Sequence, residues 1–171
     1  MNIEEHIRII KDFPKAGINF YDIGSLLAHA EAWKSAMDQA AEAIAPYAPD
    51  IIVGIEARGF LMAPPIAERL GLPIAMIRKQ GKLPGDVLSY QYDLEYGSDC
   101  IELQQGVIKA GARVAMVDDL LATGGTMGAA ETLIGQAGAK VVQHFCLIEL
   151  DGLSGREKLS APFQALLKKP A

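Results

Sequence analysis

Val114-Ala115-Met116-Val117-Asp118-Asp119-Leu120-Leu121-Ala122-Thr123-Gly124-Gly125-Thr126-Met127 is the stretch on which the reading of this chain turns. A short apolar strand runs into two adjacent carboxylates, then an apolar pair, then a Thr-Gly-Gly-Thr turn that opens a helix. Glycines let a backbone approach an anion closely and reach dihedrals closed to other residues. The two threonines add hydroxyl donors. Amides at the start of the following helix aim the positive end of its dipole at whatever binds there. Together these features describe a phosphate cradle. Asp118 and Asp119, at the carboxyl end of the strand, suit vicinal hydroxyls, a metal ion, or a cation that forms during reaction. A lone Gly-Gly would be explained as well by a plain strand-to-helix connection.

Working outward, an α/β pattern surrounds this stretch. Residues 51–55 form an apolar run of the kind found in strands buried on both faces. Residues 60–70 read as a helix closed by Gly71 and Pro73, and 74–77 as a second strand. Residues 114–117 make a third strand, 126–137 a helix with Gly138 as its stop, and 141–150 a fourth strand. Strand and helix in alternation predict a mainly parallel sheet with helices on both faces. Ligands in such sheets sit beyond the carboxyl ends of the strands, which puts residues 56–59, 78–82 and 118–126 on one rim.

Nearer the start, Ile3, Ile7 and Ile10 recur at helical spacing and predict a short amphipathic helix over residues 2–11. A hood continues through Leu27, and the alanine-rich residues 31–45 read as a helix closed by Pro46 and Pro49. Residues 79–111 lack a helical period. Within them residues 89–97 alternate enough to suggest a hairpin arm, and long insertions of this kind are usually functional lids or disordered.

Composition narrows the class. The 171 residues suffice for one domain with a proper core; half are hydrophobic and 22% charged, as in ordinary globular proteins. A net charge of −5 without a lysine or arginine cluster argues against nucleic acid as a partner. No apolar run approaches a membrane span, and no secretory signal is visible at the start. Cys100 and Cys146 have no metal-like spacing and read as free thiols in a reducing cytoplasm. His6, His29 and His144 are equally scattered. No two glycines lie two positions apart, so the dinucleotide fingerprint is absent, and no Walker-type loop occurs either.

Three further pieces carry chemistry. Arg58 leaves a buried strand at a sharp turn, where its fork of donors suits a pyrophosphate or, equally, a surface salt bridge. Arg78, Lys79 and Lys82 put three cations in five residues beside a glycine. With an anion cradle on the same rim, they become candidates for a second anion site. Phe20 follows the Pro-Lys-Ala-Gly turn, where it either stacks on a flat heterocycle or plugs the core. Glu95 lies in the arm beside Tyr96, where a carboxylate near a substrate nitrogen moves a proton or is simply exposed.

Six blocks carry a resemblance: Phe13-Pro-Lys-Ala-Gly-Ile-Asn-Phe-Tyr-Asp-Ile23, Gly54-Ile-Glu-Ala-Arg-Gly-Phe60, Arg78-Lys-Gln-Gly-Lys-Leu-Pro84, Tyr92-Asp-Leu-Glu-Tyr-Gly97, Val117-Asp-Asp-Leu-Leu-Ala-Thr-Gly-Gly-Thr126 and Gly155-Arg-Glu-Lys-Leu159. In this order, spanning residues 3–167, they resemble the adenine phosphoribosyltransferase family of type I phosphoribosyltransferases. The resemblance implies one domain over residues 1–171. It would have a twisted, mainly parallel sheet flanked by helices, a small hood (about 1–30) and a flexible hairpin arm (about 79–105).

It also implies a magnesium-dependent pentosyl transfer in purine salvage, by a cytoplasmic homodimer. Adenine and phosphoribosyl pyrophosphate (PRPP) would give AMP and pyrophosphate. Ala122, Thr123, Gly124, Gly125 and Thr126 would wrap the 5′-phosphate, with Asp118 and Asp119 serving the ribose hydroxyls. Magnesium would be held mainly by PRPP, with those two aspartates as possible ligands. The turn Glu56-Ala57-Arg58 would take the pyrophosphate, often through a non-proline cis peptide. Arg78, Lys79 and Lys82 would add cations, Arg78 across a dimer interface. Phe20 would stack on the base, with backbone groups around Asn19 and Tyr21 reading its edge. Glu95 would handle the purine proton, Arg58 would lie near both base and pyrophosphate, and Tyr96 would help close the arm.

Two positions bear on specificity. The residue after Phe20 is commonly arginine in the family, and here it is Tyr21. Relatives acting on hypoxanthine or guanine carry an acidic residue just before the Thr-Gly of the loop, and here that position is Ala122. A transferase for those bases is one alternative; a non-catalytic PRPP-sensing regulator is another, disfavoured by the lack of a basic face. Orotate- and xanthine-type transferases share the phosphate loop but not the blocks at 13–23 and 92–97.

Overall fold

The computed structural model describes residues 1–94 and 96–171. Two short strands, β1 (Arg8–Lys11) and β2 (Asn19–Asp22), pair antiparallel with Ile10 opposite Phe20. The turn α1 (Gly24–Leu27) and helix α2 (Ala30–Ile44) follow. Next come β3 (Ile51–Ile55), α3 (Gly59–Leu70), β4 (Ile74–Lys79), β5 (Val87–Asp93) and β6 (Ser98–Gln104). The chain continues through β7 (Arg113–Leu121), α4 (Gly125–Gln136), β8 (Lys140–Asp151) and β9 (Phe163–Pro170). Among the described residues the main sheet has seven strands in the order β5-β6-β4-β3-β7-β8-β9. Pairing is parallel from β4 through β9, and antiparallel where β6 meets β4 and β5.

Side chains alternate across each strand, so the sheet serves two cores. On one face Ile52, Val117 and Phe145 pack with Met37 of α2 and Met62 and Ile66 of α3. On the other, Val53, Ile55 and Met116 meet Leu133 and Ile134 of α4, together with Tyr92, Ile101 and Leu103 of the hairpin. All five residues of β3 are buried, because helices cover both faces of that strand. Helix α2 starts where the His29 ring Nδ1 accepts the Ala32 amide at 3.2 Å.

The helix predicted over residues 2–11 does not form. Ile3–His6 makes a single 3-10 turn, and the chain then enters β1. The physical reason is local composition. Ile7, Ile9 and Ile10 are β-branched, and the aromatic Phe20 and Tyr21 offer a partner strand, which outweighs a three-residue helical pattern. Strand β7 outruns the predicted 114–117 because β8 keeps pairing with it beyond the two acids, with Leu120 opposite Ile148. Both aspartates therefore lie inside a strand. Strand β9 was unanticipated; it is an edge strand whose paired lysines disguise it. The hairpin expected within 89–97 forms with wider bounds: β5 pairs with β6, which lies wholly beyond residue 97, and β6 joins the main sheet with Ile101 opposite Lys79.

Phe145 is fully buried between α2 and the sheet. Phe145→Ala should cost about 3–5 kcal/mol of stability. That loss should appear as a lower urea midpoint with an unchanged slope.

Candidate active site

Strand order reverses at β3: its successor β4 lies on one side and β7 on the other, with α3 and α4 leaving toward opposite faces. A crevice opens at the carboxyl ends of β3 and β7, where α/β sheets bind ligands. There a cavity of about 470 Å³ is lined by Glu56, Ala57, Arg58, Lys79, Asp118, Asp119 and the whole run 120–127. The two turns that form it touch. A side chain at Gly59 would stand 2.7 Å from the Val117 carbonyl oxygen, so only glycine lets the turn after β3 settle against β7.

The phosphate loop has the predicted form. Gly124 is left-handed, with φ of 78°, and α4 begins at Gly125. The first amides of that helix have no partners within it and face the cavity mouth. Behind the loop lies the turn after β8. A Cβ on Gly124 would come within 2.3 Å of the Gly155 carbonyl oxygen, and one on Gly155 within 2.3 Å of that of Ala122. Backbone thus presses on backbone. The Arg156 guanidinium, paired with both oxygens of Glu149 and lying over the Phe163 ring, holds this turn in place.

Each acid on the rim has a distinct setting. Burial and the charge of Asp119 push Asp118 well above the ordinary aspartate range, although its Oδ1 accepts the Asp119 amide at 2.9 Å. Asp119 Oδ2 pairs with Arg58 Nε at 2.7 Å. Burial works to raise Glu56, but the Lys79 amide and Arg78 guanidinium prevail and hold it below its usual value. The peptide bond Glu56-Ala57 is cis. Lys79 Nζ pairs with Asp99 of β6.

The hood meets the cavity-lining Arg58 through Phe20. Arg58 lies over its ring at 5.7 Å, and Phe13 meets it edge-on at 5.2 Å. Asn19 and Phe20 are half-buried, while Tyr21 points into the core and donates its hydroxyl to the Pro170 carbonyl at 2.8 Å.

Arg58 and Lys79 are therefore brought together with the phosphate loop. Arg78 folds over the Phe60 ring at 5.7 Å, and Lys82 is exposed outside the cavity lining. Tyr96 is 87% exposed at the hairpin tip. Glu95 lies outside the described residues. Three contributors escaped the sequence reading. Gly155 belonged to a noticed block whose place against the loop needed the fold. Asp99 and Tyr92 gain meaning only from the hairpin register that sets them opposite each other.

The family model described as a phosphoribosyl transferase domain matches residues 21–170. The adenine phosphoribosyltransferase of Rhodospirillum centenum is 54% identical, with 98% of each chain covered. The chain belongs to the adenine phosphoribosyltransferase family. The fold agrees: the crystal structure of the enzyme from Thermoanaerobacter pseudethanolicus superposes with a TM-score of 0.94 at 44% identity, covering 98% of both chains. That from Saccharomyces cerevisiae, complexed with an imino-altritol bisphosphate and adenine, gives 0.89 at 38% identity and 96% coverage of each.

Within the adenine phosphoribosyltransferase family the departure at Tyr21 has a structural meaning here. Its side chain is buried in the core and bonded to Pro170, so it does not project from the hood.

Asp118 holds its proton more tightly folded than unfolded, so the folded state loses stability as pH rises past the ordinary value of 3.8 and through the raised one. Asp118→Asn removes that penalty. The ligand-free variant should melt several degrees higher at about pH 8, the gap closing toward about pH 4. Calorimetric scans across pH check this; a constant gap contradicts it.

Proposed function

We propose that this protein transfers the phosphoribosyl group of PRPP to adenine, releasing AMP and pyrophosphate, in purine salvage. One arrangement carries the reading: the amide cradle at 122–126 opens beside Asp118 and Asp119 in a single cavity, in a chain 54% identical to a relative named for that activity. The cradle and the Thr123 and Thr126 hydroxyls take the 5′-phosphate. Asp118 and Asp119 face the ribose hydroxyls, and their charge favours the oxocarbenium character that develops at the anomeric carbon.

Pyrophosphate leaves toward the turn at Glu56, Ala57 and Arg58, met by Lys79 and by Arg78 and Lys82 from the same loop. Arg58 gives up Asp119 for the anionic substrate, exchanging one charged partner for another. Adenine stacks on Phe20, with its edge read by backbone groups around Asn19 and Tyr21. As the ring nitrogen bonds to the anomeric carbon, Glu95 handles the proton that adenine releases. Tyr96 helps the arm shut water out.

Magnesium fits this donor set. Three carboxylates, Glu56, Asp118 and Asp119, line the cavity, while no group of three or more His, Cys, Asp or Glu placed to hold a metal occurs among the described residues. That suits an ion carried in by PRPP oxygens and met by Asp118 or Asp119. Bound there, it would neutralise charge on the departing pyrophosphate.

The working form is a homodimer. Leu61, Ile74 and Met76 are 45%, 44% and 42% exposed, and the strand register puts Ile74 and Met76 on the α3 face beside Ile52 and Gly54. Arg78 adjoins this patch. The unpaired thiols Cys100 and Cys146 suit a reducing cytoplasm. Among the described residues no helix is long and apolar enough to cross a membrane.

With magnesium and PRPP, purified protein should convert adenine to AMP, and hypoxanthine or guanine on the order of 100-fold less efficiently, because Ala122 offers a 6-oxopurine no acid. A chelator should stop turnover and added magnesium restore it. Equal rates with all three bases would refute the Ala122 argument; PRPP binding without turnover would favour a sensor.

Met76→Glu should convert a dimer to a monomer in light scattering. An unchanged mass would place the interface elsewhere.

A further inference from the structure

Tyr92 is a buried phenol that the reaction above does not use. Its ring packs in the core beneath α4, and its hydroxyl lies 3.0 Å from Thr126 Oγ1 and 3.4 Å from Asp99 Oδ2. Asp99 is already served by Lys79 and by the Cys100 amide at 2.8 Å. The shorter contact is to Thr126, and a phenol has one proton to give. We propose that Tyr92 is a positioning residue: its hydroxyl donates to Thr126 Oγ1 and so points the threonine's own proton into the phosphate cradle.

The inference rests on the reading of the cradle as the PRPP phosphate site. Thr126 is the second residue of α4 and has no other hydrogen-bond partner among the described residues. Its hydroxyl is otherwise a free rotor with several orientations, of which one serves the ligand. With the tyrosine proton on Oγ1, the threonine proton is left for a phosphate oxygen. An arriving dianion polarises Thr126 and strengthens the bond from Tyr92, since linked hydrogen bonds reinforce one another. Because Tyr92 and Asp99 pair across the hairpin near its turn, phosphate at the cradle is felt at that end of the arm and at Lys79, another residue of the same cavity.

Tyr92→Phe keeps the ring and deletes only the donor. The affinity for PRPP, measured by titration calorimetry, should fall roughly 5- to 10-fold, while the KM for adenine stays put and the melting temperature drops by no more than a few degrees. Against a Thr126→Val background the same change should cost nothing further, and against Thr126→Ser it should keep its full effect. Independently of any variant, the Tyr92 hydroxyl proton should give a slowly exchanging resonance that moves downfield when PRPP is added. An unchanged PRPP affinity in Tyr92→Phe, an equal loss in the Thr126→Val background, or a stationary resonance would overturn the proposal. If the unsubstituted protein neither binds PRPP nor turns over adenine, the functional reading falls with it; if it does both, the positioning role alone is at stake.

Discussion

The site depends on one steric constraint, the contact of main chain with main chain at Gly124 and Gly155. A phosphate cradle made of amides has no side chain of its own to hold it open, and its shape must come from what lies behind it. Here that support is the turn after β8, close enough that a single methyl group on either glycine would collide with a carbonyl oxygen. The turn is braced in its own right by Arg156 on Glu149 and Phe163. Rigid backing suits a loop that must present several donors at once, because donors already in place lose little freedom when the anion arrives.

Around this fixed loop the charges are arranged in provisional pairs. Arg58 leans on Asp119, Arg78 on Glu56, and Lys79 on Asp99. Each cation near the cavity has a carboxylate to neutralise it while no substrate is bound, so none is a bare buried charge. A polyanionic substrate offers each a stronger partner. Of these acids Asp119 lies beside Asp118 in the cavity, where the proposed reaction would develop positive charge. On the proposed function the same residues would stabilise the empty protein and serve the reacting complex.

What could be read from the sequence divides along physical lines. The buried strand β3, the strand-acid-acid-turn of β7 and the glycine-opened helix α4 are local, and each announces itself through composition and order. For Phe20 the sequence left stacking and core packing open, and the structure adds its contact with Arg58. Missing were elements whose meaning is relational. Strands β1 and β9 exist because of distant partners, the former despite a helical spacing of isoleucines. Two acids hid the continuation of β7, since charge normally marks a strand's end and only its pairing with β8 shows otherwise. Asp99 and Tyr92 looked like ordinary hairpin residues until the register placed them between Lys79 and Thr126.

The hydroxyl of Tyr21 on the Pro170 carbonyl, with Lys169 on Glu4 beside it, ties the hood to the last strand. During synthesis residues 19–21 leave the ribosome early, yet the surface that fixes their orientation is made last. The loop at 122–126 waits for the Gly155 turn and for Phe163, and the hood waits for residue 170. Both rims of the cavity are therefore completed by residues 155–170, so a partly made chain would hold neither in its final shape.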